Sequence, residues 1–134
     1  MNLVPIATLI SDAGLATPGV NLFVNMYPAD VSLGVLLLAP FSGTKINYDL
    51  PKYRKGEFQA IVRVIASDFA LGQTLIKEIT DLLTIEKVTE LDLIQVKRVH
   101  PLHEPVVYRV SAGNNVEFSV NFEMIYIITD INGY

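Results

Sequence analysis

The chain has 134 residues, 51% of them hydrophobic and 18% charged, a size and balance that suit one folded domain rather than a disordered chain. Ten Lys and Arg face fourteen Asp and Glu, and a net charge of −4 is a poor basis for gripping nucleic acid, which needs clustered cations. With no cysteine, disulfides, thiolate catalysis and Cys-based zinc sites are excluded, and a reducing cytosol is suitable.

The start, MNLVPIATLISDAGL, lacks the basic region of a signal peptide, so no export leader is expected. No stretch approaches the roughly 20 apolar residues of a membrane span, so no membrane partner is expected. Within that start, Ile6, Leu9, Ile10 and Ala13 recur at helical spacing. Pro5 is tolerated in the first turn and Gly14 is a stop signal, which predicts a helix over 3–13. VNLFVNMYP (20–28) and LGVLLLAP (33–40) read as two short strands. Residues 41–56, FSGTKINYDLPKYRKG, read as a long loop with a short strand around Ile46 and Tyr48 as an option. A loop of that length inside a domain tends to carry function.

From residue 57 the pattern alternates. Phe58, Ala60, Val62 and Val64 fall on one side and Glu57, Gln59 and Arg63 on the other, with Ile61 and Ile65 as exceptions. This predicts a strand over 57–66 with one buried face. Ser67 and Asp68 offer side-chain oxygens to start a helix over 68–84, whose apolar stripe is Leu71, Leu75, Ile79, Leu82 and Leu83. Gly72 marks a place for close packing on a sheet. Three strands follow. LDLIQVKRV (91–99) has the weakest pattern, EPVVYRVSA (104–112) runs into a Gly-Asn-Asn turn, and VEFSVNFEMIYII (116–128) has the clearest. The last two are expected to form a hairpin, joined by the one before as a meander. The whole, residues 1–134, reads as a single α+β domain: a mostly antiparallel, mixed sheet packed against two helices.

Few residues suggest chemistry. HPLHE supplies His100, His103 and Glu104 at metal-like spacing, but two histidines in a proline-flanked turn read most simply as exposed. No G-x-S-x-G, Walker or dinucleotide motif is present. Glu117 and Glu123 lie on one strand face about 20 Å apart, too far for paired acid–base work. No catalytic residue, cofactor or metal is therefore expected. The basic cluster Lys52, Arg54 and Lys55, with Tyr53 and the nearby Asp49, reads first as a docking loop for an acidic partner surface. A solubilising loop comes second and a nucleic-acid contact third.

The segment YDLPKYRKGEFQAIVRVIASDFALGQTLIKEITDLL (48–83) resembles the tail-terminator, or tail-to-head joining, proteins of long-tailed bacteriophages. In that family an N-terminal helix and early strands precede a loop, a glycine-led strand ending in arginine, a helix, and a proline-marked turn before C-terminal strands. Gly56, Phe58, Arg63, the helix 68–84, Pro101, Pro105 and Phe118 to Tyr126 match those features. The resemblance implies a non-enzymatic ring of identical subunits, typically hexameric, at the end of the tail tube. Such a ring stops tube polymerisation and meets a head-connector or stopper protein. DNA passes through it without sequence-specific binding. The implied location is the head–tail interface of the virion, with the host cytoplasm during assembly. Interface candidates are Asp49, Lys52, Tyr53, Arg54, Lys55, Arg63, Glu117 and Glu123, with Arg63 expected to pair with a neighbour's Glu117 or Glu123. The alternatives are another head–tail connector element, such as a stopper or head-completion protein, and a small ligand- or metal-binding α+β domain anchored on His100 and His103.

Overall fold

A computed structural model describes residues 1–27, 33–39, 43–46, 48–92, 94–110 and 114–129. Two helices, α1 (Val4–Asp12) and α2 (Phe69–Leu83), cover one face of a mixed sheet. Its strands are β1 (Leu22–Val24), β2 (Gly34–Leu38), β3 (Tyr53–Ile65), β4 (Thr89–Leu91), β5 (Ile94–Pro101), β6 (Val106–Val110) and β7 (Asn115–Ile128). The order across the sheet is β1-β2-β3-β7-β5-β4, and β6 also pairs with β7. Among these strands β1 and β2 run parallel and the other pairs are antiparallel.

The long antiparallel pair β3–β7 is the spine, in register from Tyr53 opposite Ile127 to Ile65 opposite Asn115. Alternation sends Phe58, Ala60 and Val62, with Phe118, Val120, Phe122, Met124 and Tyr126, toward the helices. There they meet Ile6 and Ile10 of α1 and Ile76, Ile79 and Leu83 of α2 in one core. Phe58 stacks on Phe122 with ring centroids 5.1 Å apart. A Cβ on Gly72 would stand 2.6 Å from the Phe118 ring and 2.8 Å from Val64, so this glycine sets how closely α2 lies on the spine.

Several expectations change. The strand expected from 57 begins at Tyr53, because Ile46 bridges Arg54 and β7 continues along the whole length. The expected loop 41–56 therefore shortens at its C-terminal end, and residues 41, 42 and 47 lie outside the described residues. Gly56 sits inside the strand rather than ahead of it. A short 3-10 turn, Ala66–Asp68, precedes α2, and no side chain caps the helix. The buried face of α2 is Gly72, Ile76, Ile79 and Leu83, with Leu75 and Leu82 at its margin; Leu71 is exposed.

The hairpin β6–β7 forms as expected, although part of its turn, residues 111–113, lies outside the described residues. The meander does not form. β5 and β6 lie end to end along one edge of β7, β5 opposite 122–128 and β6 opposite 115–119. The HPLHEP turn bridges them: Leu102 N–H donates to the Asn121 carbonyl at 2.8 Å, and the Asn121 N–H donates to His103 Nε2 at 3.2 Å. The weak 91–99 pattern has a physical cause. The register shifts between Val96 and Arg98, so Lys97 is an extra residue, and core positions change from Ile94 and Val96 to Val99.

Candidate assembly interface

The sheet face turned away from the helices carries the polar members of the spine. Arg63 and Glu117 are direct cross-strand partners. The Arg63 Nε donates to Glu117 Oε2 at 2.7 Å, and a second guanidinium nitrogen closes the ion pair. Glu117 is only 7% exposed, so the pair sits where an unpartnered charge would be unfavourable. The guanidinium also lies 4.9 Å from the centroid of the Tyr27 ring. Tyr27 donates its hydroxyl to the Gly34 carbonyl at 3.1 Å and sets its ring edge against Phe23. Burial pushes the Tyr27 phenol up to about 12, against a lowering by Arg63, so it remains a donor at ordinary pH. The pairing expected between subunits for Arg63 is thus made inside one chain, where it ties β1, β2, β3 and β7 together.

Further along the same face, Gln59 donates to the Ser119 hydroxyl. Glu123 sits between Lys55, 4.0 Å from it, and His100, 3.8 Å from it. His100 is a half-exposed strand residue, not a turn residue. His103 is in the turn and spends both ring nitrogens on backbone, Nδ1 facing the Glu104 carbonyl at 2.7 Å. Among the described residues no group of three or more His, Cys, Asp or Glu could hold a metal ion. No helix among them is long and apolar enough to cross a membrane.

The remaining candidates gather at the N-terminal end of β3. Arg54 turns back on its own chain, donating to the Pro51 and Tyr53 carbonyls, which leaves its charge holding a turn. Asp49, Lys52 and Lys55 are exposed and Tyr53 is half-buried. A shallow groove of about 480 Å³ is lined by Lys45, Ile46, Tyr48, Asp49, Tyr53 and Lys55. Two of its apolar members stand unusually open, Ile46 at 53% exposed and Tyr48 at 96%, and Leu50, beside the groove in sequence, is 56% exposed. Adjacent exposed apolar groups with a charged rim are the composition of a docking surface.

Ile46, Tyr48 and Leu50 were not among the sequence-based interface candidates. Their signal was available: three apolar residues at alternate positions inside a Gly- and Pro-flanked segment. Alternation by itself gave a strand reading and left open what, if anything, covers the apolar side.

Over residues 9–128 the sequence matches the family described as bacteriophage tail terminator protein. The chain belongs to that family. It is therefore a phage tail-assembly protein, a component of the virion. Among solved structures, a chain from the virion of a native gene transfer agent particle shares its fold with a TM-score of 0.60. That likeness covers 94% of this chain and 86% of the other at 16% identity. A second solved chain is 14% identical, with a TM-score of 0.47 over 92% of this chain and 96% of its own. No curated protein matches this chain.

Proposed function

We propose that this chain, acting as a single domain, caps the phage tail tube as a ring of its own copies, six in the form that the resemblance implies. The ring stops tube polymerisation, and its other surface receives the head connector or stopper protein. DNA passes through the ring without sequence-specific binding. The role is mechanical and non-enzymatic. Assembly takes place in the host cytoplasm and the finished ring sits at the head–tail interface.

The observation that carries this reading is the family match across residues 9–128. The surface chemistry supports it. Closed rings use heterologous contacts, in which one patch meets a different patch on the neighbour. The groove at the start of β3, with Tyr48 and the lysines around it, supplies one such patch. A net charge of −4 also disfavours a grip on DNA that must slide.

The test is removal of the protein from an infection, followed by negative-stain imaging. Tails of abnormal length without heads are expected, and purified protein added to tail tubes should form a ring at one end. Normal tails beside leaking heads would assign the protein to the stopper position instead.

A further inference from the structure

Two rims of the sheet carry opposite charge. At the end of the sheet where β3 begins, one row of paired residues runs from Ile46 through Arg54, Tyr126 and Val96 to Thr89. Ile46 stands on one lateral rim and Thr89, in the edge strand β4, on the other. At a strand spacing of about 4.8 Å, four steps separate the rims by about 19 Å. The 45–55 rim holds Lys45, Lys52, Arg54 and Lys55 against the single carboxylate of Asp49. The 86–92 rim holds Glu86, Glu90 and Asp92 against the single cation of Lys87. Each rim also has an open apolar group: Tyr48 on the first, and Val88, 58% exposed, on the second.

Both rims hold charges that the chain itself leaves unused. Among the described residues, the side chains of Lys45, Lys52, Glu86 and Asp92 make no ion pair or hydrogen bond. The β4 rim is also grooved: Asp81, Thr84, Ile85, Glu86, Lys87 and Thr89 line a shallow depression of about 560 Å³. As an edge strand, β4 presents one side of its backbone without a partner strand among the described residues.

We propose that copies of this chain join head to tail across these rims, Lys45, Tyr48, Lys52 and Lys55 of one copy docking on the acidic 86–92 segment of the next. The occupant of each rim is a second copy of this chain, because the complementary surface is present on the same molecule. Tyr48 and Val88 form the apolar centre, and lysine–carboxylate pairs surround it and fix the register. Since the two patches differ and lie on opposite rims, one contact leaves both outer rims open for another copy. That is the condition for a ring or a filament rather than a closed dimer. The inference rests on the proposed ring and names its subunit contact.

The experiment uses an equal mixture of isotopically light and heavy protein, assembled on tail tubes and treated with a zero-length carbodiimide cross-linker. Mixed light–heavy peptides joining Lys45, Lys52 or Lys55 to Glu86, Glu90 or Asp92 are expected. Because the joined peptides carry different isotopes, such a link can only come from two different copies. In parallel, K45E with K52E, and separately E86K with D92K, should each lower ring formation at least about tenfold. Combining all four in one chain re-creates opposite charges and should restore rings. Rings whose cross-links fall elsewhere, and which tolerate both reversals, would overturn this contact while leaving the ring standing. Absence of any association between copies, on tubes or off, would overturn both.

Discussion

The two halves of β3 belong to one strand but have different neighbours. From Gln59 to Arg63 the strand lies between β2 and β7 and is paired on both edges. From Tyr53 to Phe58 it keeps β7 on one edge, while on the other the 43–46 segment touches it through the single Ile46–Arg54 bridge. The first half holds buried apolar groups on both faces and the Arg63–Glu117 pair. The second half adjoins exposed lysines and the open Tyr48 ring. One strand is thus divided: the doubly paired half holds the fold together, and the half paired on one edge among the described residues borders the proposed subunit contact.

Substitutions on either side of that division should behave differently. The largest effect is expected where the spine meets the helices. Phe122 is fully buried and stacked on Phe58, so Phe122→Ala should lower unfolding free energy by about 3–5 kcal/mol, measured by denaturant titration. A loss below about 1 kcal/mol would mean that the core centre is misplaced. Next comes the polar side of the same half. Arg63→Ala leaves Glu117 without its cross-strand partner and is expected to destabilise by about 2 kcal/mol, less than for a fully buried pair because Arg63 is partly solvated. In a double-mutant cycle with Glu117→Ala the coupling should exceed about 0.5 kcal/mol; a value near zero would make the pair an ordinary surface contact. The smallest effect on stability is expected at the assembly end. Tyr48→Ala removes a ring that is 96% exposed and should change stability by less than about 0.5 kcal/mol, while weakening ring formation on tail tubes. A large loss of stability there would erase the distinction between the two halves.

How far the sequence could be read follows the same division. The clearest alternation, Val116 to Tyr126, became the central strand with those residues buried, because a strand with one core face carries its burial pattern in its own sequence. Glycine at 72 also announced its role, since only the absence of a side chain lets α2 approach Phe118. The meander expectation failed for want of long-range information. Alternation fixes faces but not neighbours, and β5 and β6 each satisfy their edges against β7 rather than against each other. The stripe of α2 is legible only in part: Ile79 and Leu83 are buried as expected and Leu75 and Leu82 lie at the margin, but Leu71 is exposed and Ile76 buried, a choice among apolar residues that only the direction of the sheet makes. Arg63 and Glu117 were legible as polar-face residues. Their mutual pairing depended on the β3–β7 register, which spans 54 positions of sequence.

The sequence by itself determined the α+β composition, the two helices, the buried faces of the two long strands and the kinship with tail terminators, because these follow from local periodicity and residue order. Tertiary structure alone decided which strands adjoin. It thereby decided that Arg63 is spent within the chain, that Arg54 folds back on its own carbonyls, and that Lys45 and Lys52 stand on the rim opposite Glu86 and Asp92. The reason is physical. A side chain's chemistry is fixed by its type, but its partner is fixed by register and strand order, which arise only when distant segments pack around one core.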